Sequence, residues 1–449
     1  SKIRAIVYRY ILSFKRKLIK SNEKLAEINM TDDKQNNKVL VLGAGIVGIC
    51  NALALREKGF EVTLIDKNEP SDATSYGNAG VISPWACIPQ SMPGLWKKVP
   101  KWLLDPSGPL SIRWSYLPRM APWLVEFLKS GHPKRLPAIS DAMLTLNRPN
   151  LDLYKQLLQG TGEEGLIKDC YYLYVSRNLS GINLTSLEWK LREERGVPFE
   201  QISGNEARDL EPDLSPDVQS AAIIKSQGRT LNPGRLGKVL AAKAMGLGVS
   251  FLKAEITKVT PNERNGYDVL TDQGTQNANS VVLTAGVWSA NLLKKLGVRV
   301  SLEAERGYHL VFKEPGVTLT NSILDSDNKF VSSSMEMGMR SAGTAEFAGI
   351  DAPPDYRRAH VFKKHAKSLF PKLNTNSVDE WMGRRPSPPD SVPYIGEVPG
   401  FPRLFYGFGH GHLGLTGAPM TARMIAALVS NEPLNIDMTP YRLDRFNKP

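Results

Sequence analysis

The chain has 449 residues, of which 41% are hydrophobic and 23% charged, so it is long enough for two globular domains of ordinary composition. Its three cysteines are far apart, and its six histidines are scattered except for His410 and His412, so we expect neither a disulfide framework nor a metal site. The formal net charge is +12 at pH 7, but the basic residues are not interleaved with stacking aromatics as in nucleic-acid-binding modules. We therefore expect no nucleic-acid partner.

Residues 1–37 form a basic extension followed by a polar linker. Residues 1–20 contain seven basic residues and no acidic one, and their apolar residues recur at roughly helical spacing, which predicts an amphipathic helix. The longest uncharged run, Tyr10–Phe14, is too short to cross a bilayer. A membrane-surface helix, an organelle presequence and an extension without a role are all compatible with this pattern. We expect a cytoplasmic protein, with contact of residues 1–20 at the inner face of a membrane favoured and organelle targeting left open.

A strand–helix–strand pattern occupies Lys38–Lys67. An apolar run leads into the glycine-rich segment 43–48 (GAGIVG), a helix follows to about Lys58, and a second apolar run ends at Asp66. The first glycine permits a tight turn, the second lets the backbone approach a pyrophosphate, and the third allows close packing of helix on strand. The helix N-terminus offers N–H groups to the phosphates. Asp66 has the spacing of a ribose-binding carboxylate, which disfavours NADP. The alternative is a glycine-rich turn in an ordinary βαβ unit.

Two segments after this unit have more than one interpretation. The small and polar residues of 68–80 predict either a second contact to phosphate and flavin or a plain surface loop. Residues 85–137 are rich in proline and tryptophan, which predicts short helices broken at the prolines. Such a region can cover a pocket or contact a membrane, although packing of aromatic side chains is the commoner explanation. A helix is predicted after this region, over about 140–158.

The C-terminal part combines two arginines with a glycine–histidine segment. Residues 404–416 (LFYGFGHGHLGLT) predict a strand, a glycine-rich turn and a helix start, which directs several N–H groups and a helix dipole at one point. This arrangement suits the negative charge that a reduced flavin carries near N1 and the C2 carbonyl. Arg384 or Arg385 could bind a substrate carboxylate by a bidentate fork, and the alternative is a pair of surface arginines.

These motifs, in this order, resemble those of the FAD-dependent D-amino-acid oxidoreductase superfamily, in particular its D-amino-acid dehydrogenase branch. The resemblance covers Val39 to about Phe446 and leaves out the N-terminal extension. It is carried by the segments VLGAGIVGICNALALREKGFEVTLID, TSYGNAGVISP, VVLTAGVWS, ERGYHL, GRRPSPPDSVPYIG and GFGHGHLGLT. Two departures concern the substrate more than the cofactor: residues 391–393 (SVP) replace a glycine-containing turn, and His412 is a second histidine.

The resemblance implies FAD as cofactor and assigns roles to individual residues. The family's carboxylate-binding arginine falls on Arg385, and Tyr308 and His410 are the other candidate catalytic residues. The residues expected to contact FAD are Gly43, Ala44, Gly45, Ile46, Val47, Gly48, Asp66, Lys67, Ser75, Asn78, Ala79, Gly80, Ile256, Ala285, Gly286, Gly411, His412, Gly414, Leu415 and Thr416. Among them, 43–48 and Asp66 would hold the ADP half, and 411–416 would face the N1–C2 carbonyl side of the flavin.

The resemblance also implies an α/β fold with two domains. We expect a Rossmann-like FAD-binding domain built from the discontinuous segments 38–84, 203–290 and 380–449. Its strands are expected to begin near residues 39, 62, 249, 281 and 405. A mostly antiparallel α+β substrate domain, from residues 85–202 and 291–379, would cover the flavin.

The leading hypothesis is FAD-dependent dehydrogenation of a small amino acid, with a D-amino acid favoured. Hydride would pass from the α-carbon to flavin N5, giving an imino acid and then a 2-oxo acid, with Arg385 anchoring the carboxylate. One alternative substrate is a secondary amine such as proline, hydroxyproline or an N-methyl amino acid, as in sarcosine or glycine oxidases. An NAD-dependent dehydrogenase and a membrane-associated flavoprotein without turnover are more distant alternatives. The sequence does not decide whether oxygen, a quinone or another compound accepts the electrons, and the basic segment 1–20 favours a dehydrogenase that reduces a membrane quinone.

Overall fold

A computed structural model describes residues 37–97 and 99–446, so the predicted helix in residues 1–20 lies outside the described residues. The strands are β1 (Lys38–Leu42), β2 (Glu61–Asp66), β3 (Val81–Ile82), β4 (Leu110–Ile112), β5 (Ile167–Ser176), β6 (Phe199–Ser203), β7 (Ser220–Thr230), β8 (Ser250–Lys253), β9 (Ile256–Pro261), β10 (Tyr267–Thr271), β11 (Gly274–Ala278), β12 (Ser280–Leu283), β13 (Glu303–Phe312), β14 (Ser322–Asp325), β15 (Phe330–Met335), β16 (Gly338–Phe347), β17 (Val378–Ser387), β18 (Tyr394–Glu397) and β19 (Leu404–Phe408). The helices are α1 (Ile46–Glu57), α2 (Val99–Leu104), α3 (Leu117–Ser130), α4 (Leu136–Asn147), α5 (Asn150–Leu158), α6 (Leu187–Glu194), α7 (Gly204–Leu210), α8 (Pro233–Gly246), α9 (Ser289–Lys294), α10 (Arg357–Leu369) and α11 (Gly414–Val429). Within the described ranges, no helix combines the length and the apolar character needed to cross a membrane.

The first sheet has six strands in the order β18-β19-β12-β1-β2-β8. All neighbours are parallel except β18, which pairs antiparallel with β19. The central strand β1 is apolar on both faces because α1 and α11 pack in the core on one side while a second apolar cluster covers the other. The five strands expected for a Rossmann-like domain, which begin near residues 39, 62, 249, 281 and 405, all lie in this sheet. This part of the predicted fold is confirmed.

The second sheet has ten strands and is mostly antiparallel. Its main path runs β17-β13-β16-β15-β14-β5-β7-β3, with β4 beside β16 and β6 beside β7. Helix α10 packs its apolar side chains, including Phe362, into the core on one face of this sheet. The mixed α/β architecture with a largely antiparallel second unit is the one predicted from the sequence.

Some strands lie in a different sheet from the one that the predicted domain segments imply. Strand β7 falls in the segment 203–290 and β17 largely in 380–449, both assigned to the FAD-binding domain, yet both pair within the ten-stranded sheet. Strand β3, in the segment 38–84, also pairs there with β7. The reason is that long antiparallel partners, β5 for β7 and β13 for β17, offer full ladders of hydrogen bonds. The domain division itself stays a prediction.

Proline acts differently from the expectation at two helices. The helix predicted over about 140–158 is instead two helices, α4 and α5, because Pro149 lies between them and cannot donate to the preceding turn. Conversely, Pro122 lies inside α3 without ending it. Local proline content alone therefore does not fix the helix boundaries.

Candidate functional site

A cavity of about 950 Å³ is lined by residues of both sheets. The three candidate catalytic residues Arg385, Tyr308 and His410 line it. Most residues predicted to contact FAD line it as well: Gly43, Gly45, Ile46, Val47, Asp66, Lys67, Ser75, Asn78, Ala79, Ile256, Ala285, Gly286, Gly411, His412, Gly414, Leu415 and Thr416. Ala44, Gly48 and Gly80 are not among its lining residues. The topology thus brings together residues that are more than 300 positions apart in the sequence.

The glycines at the start of α1 are needed for close backbone packing. Gly43 has a φ of +111°, and a Cβ there would lie 2.7 Å from the carbonyl oxygen of Thr284. A Cβ on Gly48 would lie only 1.8 Å from the carbonyl oxygen of Gly43. Gly48 therefore acts through helix–strand packing, as the motif predicts, while Gly43 and Gly45 face the cavity.

The N-terminus of α1 is held by two side chains that line the cavity. The backbone N–H of Ile46 donates to Ser75 Oγ over 2.9 Å, and that of Ala44 donates to Asp66 Oδ2 over 2.8 Å. Asp66 Oδ1 accepts from the backbone N–H of Asn68 at 2.9 Å. Asp66 therefore orders the glycine-rich loop from the end of β2, and its half-buried carboxylate keeps lone pairs for a ligand hydroxyl. A glycine cradle beside a helix N-terminus fits a pyrophosphate-containing group such as FAD.

The cavity extends from this helix toward Ile256 and the turn after β12. Gly286 has a φ of +55°, and a Cβ there would meet no atom within 4 Å, so this turn faces open space. Lys67 Nζ lies 3.2 Å from Glu255 Oε1 and 6.0 Å from the centre of the Trp288 ring. The resemblance implies that adenine lies beside the backbone of Ile256 and the pyrophosphate beside Ala285 and Gly286, and all three residues line this part of the cavity. Their roles toward FAD stay predictions.

Three side chains of the ten-stranded sheet hold the loop before β3. One nitrogen of the buried Arg340, Nη1, donates to the carbonyl oxygens of Tyr76 and Asn78, at 3.0 and 2.6 Å. His309 Nδ1 lies 3.0 Å from the carbonyl oxygen of Gly77, and the His309 ring stacks on Trp381. The segment that carries Asn78, Ala79 and Gly80 is therefore fixed to the sheet rather than a plain surface loop. Sequence reasoning missed these three residues, because the loop that they hold lies more than 200 positions away in the sequence.

The C-terminal loop places His410 in a buried position just before α11. Its Nε2 lies 2.8 Å from Thr421 Oγ1, and because that hydroxyl donates to the carbonyl oxygen of Gly417, Nε2 carries the proton. Burial lowers the pKa of His410 to about 3, so the ring is neutral at physiological pH. His410 can therefore pack and orient the loop but does not supply a proton as an imidazolium.

His412 and Thr416 complete this loop. His412 Nδ1 lies 3.4 Å from Gln90 Nε2, and burial lowers the pKa of His412 despite the nearby negative charge of Glu305. The hydroxyl of Thr416 lies between the backbone N–H of Ser83 and the carbonyl oxygen of Val81, each at 3.3 Å. These two contacts of Thr416, in the first turn of α11, join the loop to β3. Strand β3 directly follows residues 78–80, which are predicted to lie at the flavin edge.

Arg385 is paired with a buried carboxylate that the sequence analysis did not single out. Its Nη1 donates to Glu305 Oε1 over 2.6 Å, and the two residues are directly opposite on β17 and β13. Glu305 Oε2 accepts from Ser387 Oγ at 2.8 Å and from Gln90 Nε2 at 3.4 Å. Burial alone would raise the pKa of Glu305, but the positive charge of Arg385 and the Ser387 hydrogen bond outweigh it and the pKa is lowered. Two-residue alternation places Arg385 and Ser387 on one face of β17, but it does not indicate their partner Glu305, which lies 80 positions before Arg385.

The remaining nitrogens of Arg385 determine whether it can bind a substrate. Among the hydrogen bonds of the described residues, only Nη1 is used, to Glu305 and at 3.3 Å to the carbonyl oxygen of Thr344. The side chain is 18% exposed and lines the cavity. Its neighbour Arg384 instead donates from Nε to the carbonyl oxygen of Ile350. Both arginines line the cavity and keep donors for a carboxylate, and Arg385 differs in that a buried carboxylate, Glu305, holds its guanidinium in place.

Tyr308 lines the cavity, but its hydroxyl is committed within the protein. It donates to Glu346 Oε2 over 2.6 Å and accepts from the backbone N–H of Asp355 at 3.0 Å. Burial, with the hydrogen bond to Glu346, raises its pKa to about 12. Tyr308 can shape the pocket through its ring, whereas its proton is not available to a substrate.

Comparison with known proteins agrees with this arrangement. A family model described as "FAD dependent oxidoreductase" (DAO) matches residues 38–428. The chain is 36% identical over 419 residues to the D-amino-acid oxidase of Bradyrhizobium diazoefficiens, covering 92% of this chain and 99% of that protein. It is 29% identical to the D-amino acid dehydrogenase of Rhizobium rhizogenes, covering 91% and 100%. The glycine oxidase from Geobacillus kaustophilus has a similar fold, with a TM-score of 0.72 at 20% identity, covering 91% and 99%.

The family match spans both sheets and the cavity between them, and the resemblance inferred from the sequence motifs is confirmed. FAD is the cofactor, and the glycine cradle and cavity have the features that it requires. The chain belongs to the FAD-dependent oxidoreductase family.

Proposed function

We propose that this enzyme oxidises an amino acid, with a D-amino acid as the preferred form, at its α-carbon. The observation that carries the proposal is the position of Arg385, whose guanidinium lines the cavity with donors left for a carboxylate. The relatives named D-amino-acid oxidase and D-amino acid dehydrogenase, which align over nearly the whole chain, support the same substrate class.

The glycine-rich loop, Ser75 and the N-terminus of α1 would hold the pyrophosphate of FAD, and Asp66 its ribose. The segments 78–80 and 411–416 would lie beside the flavin. When bound, FAD supplies the acceptor for the two electrons and the hydrogen that leave the α-carbon as the C–H bond breaks and a C=N bond forms. Water then converts the imino acid to a 2-oxo acid and releases ammonia.

The chain's own residues would act mainly by positioning the substrate. Arg385 would bind the carboxylate through nitrogens that Glu305 does not use, and Glu305 would keep the guanidinium in place. Burial lowers the pKa of His410 to about 3, which makes it a weak base, and the Tyr308 hydroxyl keeps its proton and donates it to Glu346, so neither takes a proton from the amine at neutral pH. The amine would therefore lose its proton to solvent before oxidation rather than to a protein base.

The test is anaerobic absorbance spectroscopy of the FAD-loaded protein with a panel of amino acids. The panel contains D- and L-enantiomers of several amino acids, glycine, sarcosine, proline and hydroxyproline. Bleaching of the flavin bands by D-amino acids is the expected result. If only proline or N-methyl amino acids bleach the flavin, the substrate is a secondary amine instead of a D-amino acid. If no amino acid bleaches a flavin that dithionite does bleach, the proposal is contradicted.

The electron acceptor is tested in the same sample. We propose a dehydrogenase that passes electrons to a quinone or another acceptor rather than to oxygen. Admitting air after complete bleaching should restore the flavin colour slowly, whereas a soluble quinone should restore it quickly. Fast recovery in air alone would identify an oxidase.

A further inference from the structure

Helix α3 directs an apolar face toward the cavity. Met120, Trp123, Leu124 and Phe127 line the cavity, and their spacing of three and four residues places them on one side of the helix. Leu128, which does not line the cavity, is 51% exposed. The helix that the sequence marked only as rich in proline and tryptophan therefore forms an apolar wall, and this wall is part of the site.

The wall adjoins the candidate carboxylate anchor through a row of side chains across three strands. Arg385 on β17 lies directly opposite Glu305 on β13, and Glu305 lies directly opposite Phe347 on β16. Directly opposite residues point to the same face of a sheet, and neighbouring strands are about 4.8 Å apart. Along the row, a cation is followed by a carboxylate and then by an aromatic ring, within about 10 Å.

Trp123 fastens α3 to this row. Its Nε1 donates to the carbonyl oxygen of Ser387 over 2.9 Å, and Ser387 Oγ donates to Glu305 over 2.8 Å. The Trp123 ring packs against Phe347 and Phe127, with centroid separations of 5.4 and 5.1 Å. The apolar wall is therefore held at a fixed position relative to Arg385.

We propose that Phe347 and the cavity face of α3 form the subsite for the substrate side chain, so that the enzyme selects monocarboxylate amino acids with a large apolar side chain. This inference rests on the proposed function, because it takes Arg385 as the carboxylate anchor. Each methylene buried against the wall should tighten binding about fourfold. A second carboxylate would lose hydration against the wall without a partner and would be repelled by Glu305.

Binding of unreactive carboxylates to the FAD-loaded protein, measured by isothermal titration calorimetry, tests this subsite without turnover. 3-Phenylpropanoate and 4-methylpentanoate are expected to bind with a Kd at least tenfold lower than that of acetate, and succinate no more tightly than acetate. Equal affinities, or tighter binding of succinate, would overturn the subsite while leaving the anchor at Arg385 intact. Failure of all four to bind would overturn the anchor and the subsite together, and amino-acid bleaching of the flavin would then show whether the reaction itself stands.

Two substitutions on α3 provide a matched comparison. Leu124→Ala shortens a side chain of the wall and should raise the Kd for 3-phenylpropanoate about fivefold while changing that for acetate less than twofold. Leu128→Ala makes the same change one turn further along the helix, at an exposed position that does not line the cavity, and should alter neither Kd. The subsite would be contradicted if Leu124→Ala raised the Kd for acetate as much as that for 3-phenylpropanoate. It would also be contradicted if Leu128→Ala raised the Kd for 3-phenylpropanoate as much as Leu124→Ala does. The ligand series on the unsubstituted protein decides the question if Leu124→Ala does not fold.

Discussion

At the scale of single residues, the pair Arg385–Glu305 has both a structural and a binding role. Glu305 is 3% exposed and its charge is balanced by a guanidinium 2.6 Å away, with Ser387 as a further donor. Removing one member of a buried pair leaves the other as an uncompensated buried charge, which typically costs about 3–5 kcal/mol. A loss of activity on substitution of Arg385 alone would therefore mix a binding effect with a stability effect.

A double substitution separates these effects. Arg385→Leu should lower the Tm and abolish carboxylate binding, because Glu305 loses its partner and the ligand its anchor. Adding Glu305→Gln should restore most of the Tm but none of the binding, since a neutral amide is far less costly to bury than a lone carboxylate. Thermal unfolding and titration with 3-phenylpropanoate measure the two properties. Binding that returns in the double variant would remove Arg385 from the site.

The buried histidines predict how stability depends on pH. Burial lowers the pKa of both His309 and His410 to about 3, below the ordinary value of about 6.5. Between these values the unfolded chain binds protons that the folded chain does not, so their contribution is complete above pH 6.5 and is lost as pH falls toward 3. Each group contributes a slope of about 1.4 kcal/mol per pH unit. His410→Asn should therefore reduce the fall in Tm between pH 7 and pH 5, whereas the same change at the exposed His132 should leave that fall as it is in the unsubstituted protein. A fall in Tm that is equal in the two variants would contradict a stabilising role for neutral His410.

At the scale of elements, the contact between α1 and the preceding strand sets the cofactor site. A Cβ on Gly48 would lie 1.8 Å from Gly43 O and 2.8 Å from Thr284 Oγ1, so the helix or the loop must move. Gly48→Ala should weaken FAD binding at least tenfold, measured by the FAD retained at equilibrium dialysis. Gly246→Ala, at the end of α8 with no atom within 4 Å of the added Cβ, is the control and should retain FAD fully. Equal retention in both variants would show that this packing does not position the cofactor.

Elements defined by neighbouring residues were predicted from the sequence better than elements defined by distant partners. The βαβ unit 38–66 was predictable because glycine spacing, helix periodicity and the acidic end of β2 are all local. Glu305 and Trp123 could not be assigned, because their partners lie 80 and 264 positions away and meet them only through the sheet. The sequence left Arg384 and Arg385 as alternatives, and only the resemblance chose Arg385, because no local pattern shows which of two adjacent arginines pairs with a distant buried carboxylate.

At the scale of the whole molecule, the predicted fold class is confirmed. The chain passes between the two sheets at other positions than the predicted domain segments imply. Five strands of the Rossmann-like sheet were recognisable as short apolar runs, and these five pair in parallel. The assignment of β7 and β17 to the other sheet depends on long antiparallel pairing with β5 and β13, which no local pattern encodes. The site is assembled from both sheets, so its geometry depends on this pairing.

The central claim is that the bond broken in the reaction is the α C–H bond of an amino acid held at Arg385. The most direct measurement is the rate of flavin bleaching in a single anaerobic turnover, comparing a D-amino acid with the same compound deuterated at the α-carbon. The account predicts that deuterium slows the bleaching severalfold and that Leu128→Ala, at an exposed position outside the cavity, shows the same isotope effect. Bleaching at equal rates for both isotopologues across the saturating range, or no bleaching by either enantiomer, would contradict it.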